Sequence, residues 1–292
     1  MIAWPPALAV ALAAAFGWAV FDLLRRFLTP RMSAWALVVW VTVPALPLVA
    51  VWAWREGDWR IEGGYFAPGL ASVALNVAAN FAYFKSFQLS PISVTLPMLS
   101  LTPVFSSLLG VLFLAESVGP RAGGGIFLVV AGAFALSTSL SRIAGRRRLG
   151  VETGSLVMGF VALCWSATLL LDKLALGHAS APVHALVLFA GTAAGACVAL
   201  AASGRLRDLG GVRGSAGLVV LSVSCGALAL GGQLVAIQSL QIGLVETLKR
   251  GVGGVLAVVW GRAFFGEPVL LRRLVAVALL VLGVALILVP AR

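Results

Sequence analysis

The chain has 292 residues, 61% of them hydrophobic and 11% charged, with 21 Lys and Arg against 10 Asp and Glu for a net charge of +11. A soluble domain is about 45–50% apolar and roughly 25% charged, and a water-facing surface this apolar would self-associate, so the composition excludes an ordinary soluble enzyme or binding module and calls for lipid as solvent. The arginines cluster between apolar runs, as in Arg146-Arg147-Arg148; that pattern reads as loops held against anionic lipid and excludes a nucleic-acid partner.

A membrane-crossing helix needs about 20 apolar residues. Runs of that length predict ten spans, near 5–24, 34–54, 66–88, 93–114, 122–140, 154–175, 182–202, 217–239, 245–265 and 271–290. They are too long for barrel strands, and backbone groups in hydrocarbon must bond within their own segment, so the spans are helices. The first run lacks a positive leader and reads as a full span, not a cleaved signal.

In the first span Trp18, Asp22 and Arg26 step by four. Trp18 is either a cavity wall or a packed ring, and Asp22 with Arg25 or Arg26 reads as a structural pair at the helix end. Trp52, Trp54 and Trp59 then read as an interfacial belt. The third span carries Asn76, Asn80, Phe84 and Gln88 at four-residue steps, with Tyr83 and Phe87 beside them. Such a stripe hydrogen-bonds a polar solute and stacks on its ring, or it bridges helices. Pro97 and Pro103 predict kinks in the fourth span. Glu116 and Glu267 each precede a short break and read as helix-junction residues.

In the second half Trp165 and Asp172-Lys173 repeat the pattern of Trp18 and Asp22. Cys164, Cys197 and Cys225 lie in apolar runs and read as small buried hydrophobes. His178 and His184 fall near one loop and read as helix-end residues, without metal-ligand spacing. Gly191 and Gly195 allow close helix packing. Gln233, Gln238 and Gln241 bridge helices or offer a second polar wall. In the ninth span Glu246, Lys249, Arg250 and Gly253 fall at i, i+3, i+4 and i+7, on one helix face. One reading makes Lys249 and Arg250 an anion site tuned by Glu246; the other is an internal Glu246–Arg250 ion pair at a helix end, where long side chains reach the interface.

The halves end alike, FLAESVGPRAGGGIFLVVAGAFAL and FFGEPVLLRRLVAVALLVLGVALIL, which argues for duplication. We read residues 1–141 as one repeat, 142–150 as an Arg-rich linker and 151–292 as a second repeat. Five spans in each half turn the second upside down. The fold class is therefore all-α integral membrane, ten helices as two inverted five-helix repeats, with a solute site expected near the midplane between the repeats.

The stretches LSPISVTLPMLSLTPVFSSLLGVLFLAE (89–116) and VETLKRGVGGVLAVVWGRAFFGE (245–267) resemble the EamA domain of the drug/metabolite transporter superfamily. The resemblance implies two EamA repeats over essentially the whole chain. It further implies an exporter or exchanger of metabolites such as amino acids, nucleosides or sugar phosphates, with a Lys-Arg pair matching 249–250 in the sugar-phosphate members. The loop charges favour both termini outside, whereas the resemblance implies both in the cytoplasm.

No Walker A, HExxH or GxSxG sequence occurs, so no enzyme chemistry and no cofactor are expected. The expected function is a gradient- or counter-solute-driven transporter in the cell (inner or plasma) membrane, monomeric or homodimeric. Its partners are membrane lipid and a small polar solute, anionic if Lys249 and Arg250 face it. The candidate solute residues are Lys249, Arg250, Glu246, Asn80, Phe84, Gln88, Asn76, Tyr83, Gln238, Trp18 and Trp165. A flippase for lipid-linked sugars and a non-transporting scaffold or sensor are the alternatives.

Overall fold

The computed structural model describes residues 6–28, 32–89, 96–143, 153–212, 214–266 and 271–288. Among the described residues the chain is all-α. Its helices are α1 (Pro6–Leu28), α2 (Ala34–Thr42), α3 (Ala45–Glu56), α4 (Phe66–Leu89), α5 (Thr102–Leu114), α6 (Pro120–Ile143), α7 (Thr153–Ala175), α8 (Ala181–Ala202), α9 (Ala216–Ser239), α10 (Ile242–Phe265) and α11 (Leu271–Leu288). Short 3-10 turns occupy Gly63–Tyr65, Leu96–Leu101 and Leu206–Val212. The Arg146–Arg148 cluster and Glu267 lie outside the described residues.

Five stretches are long and apolar enough to cross a membrane: Pro6–Arg25, Trp35–Glu56, Thr153–Ala175, Ala181–Ala202 and Ala216–Ser239. The second of these is α2 plus α3, divided at Val43-Pro44 because the proline has no N–H to continue the ladder. The expected fourth span takes the form of a 3-10 turn holding Pro97, followed by α5 with Pro103 in its first turn. Prolines here replace a continuous span with two pieces. Helix α4 is diluted by Asn76 and Asn80, and α10 by Glu246, Lys249, Arg250 and Arg262.

The chain forms two compact units, Met1–Val77 with Leu171–Ser239, and Ala78–Leu170 with Leu240–Arg292. In the first, α1 runs along α9, and α2 and α3 lie on α8. Small residues make the close approach possible. Gly17 faces Ala229, Gly232 faces Ala14, and Gly191 and Gly195 of α8 receive Val73 and Val77 of α4. Two loops are joined at one end: Ile61 bridges Ala179, Glu62 N–H donates to the His178 carbonyl (3.0 Å), and Ser180 Oγ donates to the Asp58 carbonyl (2.9 Å).

In the second unit α6 runs along α11, and α10 packs on α5, α6 and α11. Val129, Val258, Ala276 and Leu280 form a buried cluster. Gly283 is required there: a β-carbon on it would stand 2.7 Å from the Gly125 carbonyl oxygen and 2.9 Å from the Val129 nitrogen. Outward-facing side chains such as Phe127, Val198, Leu228 and Leu271 are mostly exposed, as hydrocarbon surroundings allow and water does not.

Candidate functional site

The start of α10 is built by side chains from other segments. The first four N–H groups of a helix lack intrahelical partners, and the Glu116 carboxylate accepts the Ile242 N–H at 3.1 and 3.3 Å. Ala115, in the left-handed region at φ 51°, and a Glu116 N–H bond to the Gly110 carbonyl aim that side chain. Gln241 Nε2 donates to the Ser117 carbonyl, pinning the same junction.

One turn into α10 lies Glu246, 2% exposed. Lys249 Nζ approaches its Oε2 at 2.5 Å, and Arg250 Nε donates to its Oε1 at 2.9 Å. The three share a face because they sit at i, i+3 and i+4 on one helix. Thr102, at the start of α5, joins them: its hydroxyl stands 2.7 Å from Glu246 Oε1 and accepts from Arg250 Nε at 3.0 Å. Ser166 of α7 donates to the Thr102 carbonyl at 3.1 Å. The cluster thus gathers two cations and one carboxylate. The Lys249 and Arg250 side chains keep 21% and 22% exposure. Among the described residues Arg250 bonds only through Nε, so its terminal guanidinium nitrogens remain available to an acceptor.

Beside Ser166 in sequence, the Trp165 ring lies 5.5 Å from that of Tyr83 on α4, inclined by 40°. Asn80 is half-buried in the same second unit. The second unit therefore contains Glu246, Lys249, Arg250, Asn80, Tyr83 and Trp165. The other expected residues fall in the first unit. Asn76 Nδ2 donates to the Ser72 carbonyl one turn back (3.2 Å), and exposed Gln238 donates to the Leu234 carbonyl of its own helix (3.4 Å). Trp18 meets Phe21 edge-on at 5.6 Å. Asp22 pairs with Arg25 at 3.6 Å, mostly exposed, at the end of α1. The side chains of Phe84 and Gln88 lie outside the described residues.

Sequence reading missed a second buried polar group, in the first unit. His184 is fully buried in the first turn of α8. Its Nδ1 is 2.9 Å from the Tyr65 hydroxyl and its Nε2 is 3.0 Å from Asp172 Oδ1, near the end of α7. The buried Ser72 hydroxyl donates to the same carboxylate oxygen. The missed signal was available: Asp172 and His184 both fall inside predicted spans, where an ionisable group marks function by default. No group of three or more His, Cys, Asp or Glu among the described residues could hold a metal ion.

Residues 5–138 match the family model described as the EamA-like transporter family. A solved structure described only as a crystal structure of a protein is 17% identical, with a TM-score of 0.77 over 96% of each chain; at that identity the likeness is one of fold. No match was found among curated proteins.

Proposed function

We propose that the chain, whose residues 5–138 match the EamA-like transporter family, is a multi-pass membrane protein of the drug/metabolite superfamily and a secondary exporter or exchanger of a small polar metabolite bearing an anionic group. Residues 1–141 and 151–292 act as the two inverted repeats of an alternating-access carrier. With no ATP-binding motif in the sequence, a gradient or a counter-solute drives the cycle.

The observation that carries the reading is the Arg250 guanidinium, which keeps 22% exposure and, among the described residues, bonds only through Nε. A charged group within a span marks function by default, and a solute carboxylate or phosphate is a fitting partner for the terminal nitrogens. Arg250 is suited to receive it, because Glu246 and Thr102 hold its Nε and so aim its terminal nitrogens. Lys249 adds a second positive charge, and the Tyr83–Trp165 pair in the same unit offers aromatic surface to the rest of the solute.

Purified full-length protein in detergent should be melted in the presence of inorganic phosphate, glucose 6-phosphate, glutamate or neutral glucose. A ligand that binds the folded state raises the melting temperature by mass action. At least one anion should stabilise the protein, and Arg250→Ala should abolish that shift. Stabilisation by glucose alone, or an anion shift unaltered in Arg250→Ala and Lys249→Ala, would contradict the anionic-solute reading.

A further inference from the structure

The buried chain in the first unit has a property that the α10 cluster lacks: it accepts a proton without losing a hydrogen bond at the imidazole. With a neutral ring, His184 Nε2–H donates to Asp172 while Nδ1 accepts the Tyr65 O–H. With a charged ring both nitrogens donate, and the Tyr65 hydroxyl turns from donor to acceptor, its own O–H giving up Nδ1 as acceptor. Uptake converts the His184–Asp172 contact into an ion pair, and Ser72 donates to the carboxylate in both states. The charge-assisted hydrogen bond gained at Asp172 offsets the acceptor that the Tyr65 O–H gives up.

The placement also suits that role. Tyr65, Asp172 and His184 stand at helix ends next to the joined loops, not deep within a span. Those loops carry an exposed imidazole–carboxylate pair, His178 Nδ1 with Glu62 Oε2 at 3.2 Å. The His178 ring covers Gly64, the residue before Tyr65, so closely that a β-carbon there would meet it at 2.6 Å. Other ionisable groups on neighbouring segments are Arg55 and Glu56 at the end of α3, Asp58 and Arg60 (paired at 3.1 Å), Lys173 beside Asp172, and Cys197 and Cys225 on α8 and α9. Among the described residues, none of these lies within hydrogen-bond reach of the His184 ring.

We propose that Tyr65, His184, Asp172 and Ser72 form a proton-binding site, with the proton as its ligand, through which a proton gradient acts on the transporter. Proton uptake stands independently of the anion reading; only the coupling rests on transport.

The chain has two histidines, so His178→Gln leaves His184 as the sole imidazole. Full-length His178→Gln protein labelled with 15N-histidine and held in detergent micelles should be followed by NMR as the pH is lowered through the range in which the protein stays folded. The ring should pass from one N–H to two, and Asp172→Asn should suppress that change. A ring that keeps one N–H throughout, or a transition unmoved in folded Asp172→Asn, overturns the proposal. The first result needs no alteration of the buried chain, so a misfolded Asp172 variant does not remove the test. In proteoliposomes carrying an internal pH dye, an acid pulse should acidify the lumen faster with wild-type protein than with Tyr65→Phe; equal rates would overturn the coupling. Arg250→Ala should leave the His184 titration intact, so loss of anion binding alone defeats only the reading of α10.

Discussion

Two buried carboxylates are held in opposite ways. Glu246 takes both of its cations from its own helix, three and four residues on. Asp172 takes its partners from α4 and α8, and the one on α8, His184, reaches Tyr65 in the turn before α4. The first arrangement exists once α10 is helical, needing only Thr102 from outside. The second exists only when α4, α7 and α8 have docked. In the α10 cluster Arg250 keeps its terminal nitrogens for an acceptor, which suits the proposed anion. The chain around His184 is the proposed proton site.

Substitutions separate the two. Removing Glu246 takes away the carboxylate that Lys249 and Arg250 share, and breaking a buried pair in this way costs about 3–5 kcal/mol. Glu246→Ala should therefore show the largest drop in melting temperature, and added phosphate should recover part of it if an anion can take the carboxylate's place. Asp172→Asn keeps the shape but removes the charge. It should cost about 1–3 kcal/mol, the range for a disrupted buried hydrogen bond, with no recovery by phosphate in the same assay. Thr102→Val deletes one bridging hydroxyl and should cost about 1 kcal/mol, while lowering anion affinity because Arg250 loses part of its support.

The smallest effect is expected at the loop that joins Asp58 and Arg60. The Arg60 hydrogen bonds hold the Asp58 carboxyl below its ordinary titration range. A depressed folded value gives stability that is present above the unfolded titration and lost as pH falls through the folded one. Both side chains are in water, so Arg60→Ala should leave the melting temperature unchanged while NMR shows Asp58 titrating at higher pH. A measurable loss of stability there would erase the contrast between buried and exposed charge drawn above.

The same contrast explains what the sequence made legible. Span length and composition carry the all-α membrane fold, because lipid leaves the backbone few choices. The Glu246–Lys249–Arg250 face was readable because helical periodicity alone places it. Spacing did not reveal that Thr102 completes the cluster, since 144 residues separate it from Glu246. The His184 chain escaped for a different reason: Tyr65, Ser72, Asp172 and His184 come from separate segments, which no helical periodicity brings together. Asn76 and Asn80 share a predicted stripe, yet the units divide between them, at Val77 and Ala78. The rupture of the second span at Pro44 was visible as a residue and not as a break, because proline within a span is often only a kink.

The central claim is that Lys249 and Arg250 hold the anionic group of a transported solute. The most direct measurement is exchange in proteoliposomes loaded with the anion that most stabilises the purified protein and supplied outside with the same anion, radiolabelled. Wild-type protein should accumulate label by counterflow, and Arg250→Ala, shown folded by its melting curve, should fall to the rate of empty liposomes. Counterflow by Arg250→Ala at the wild-type rate would contradict the account.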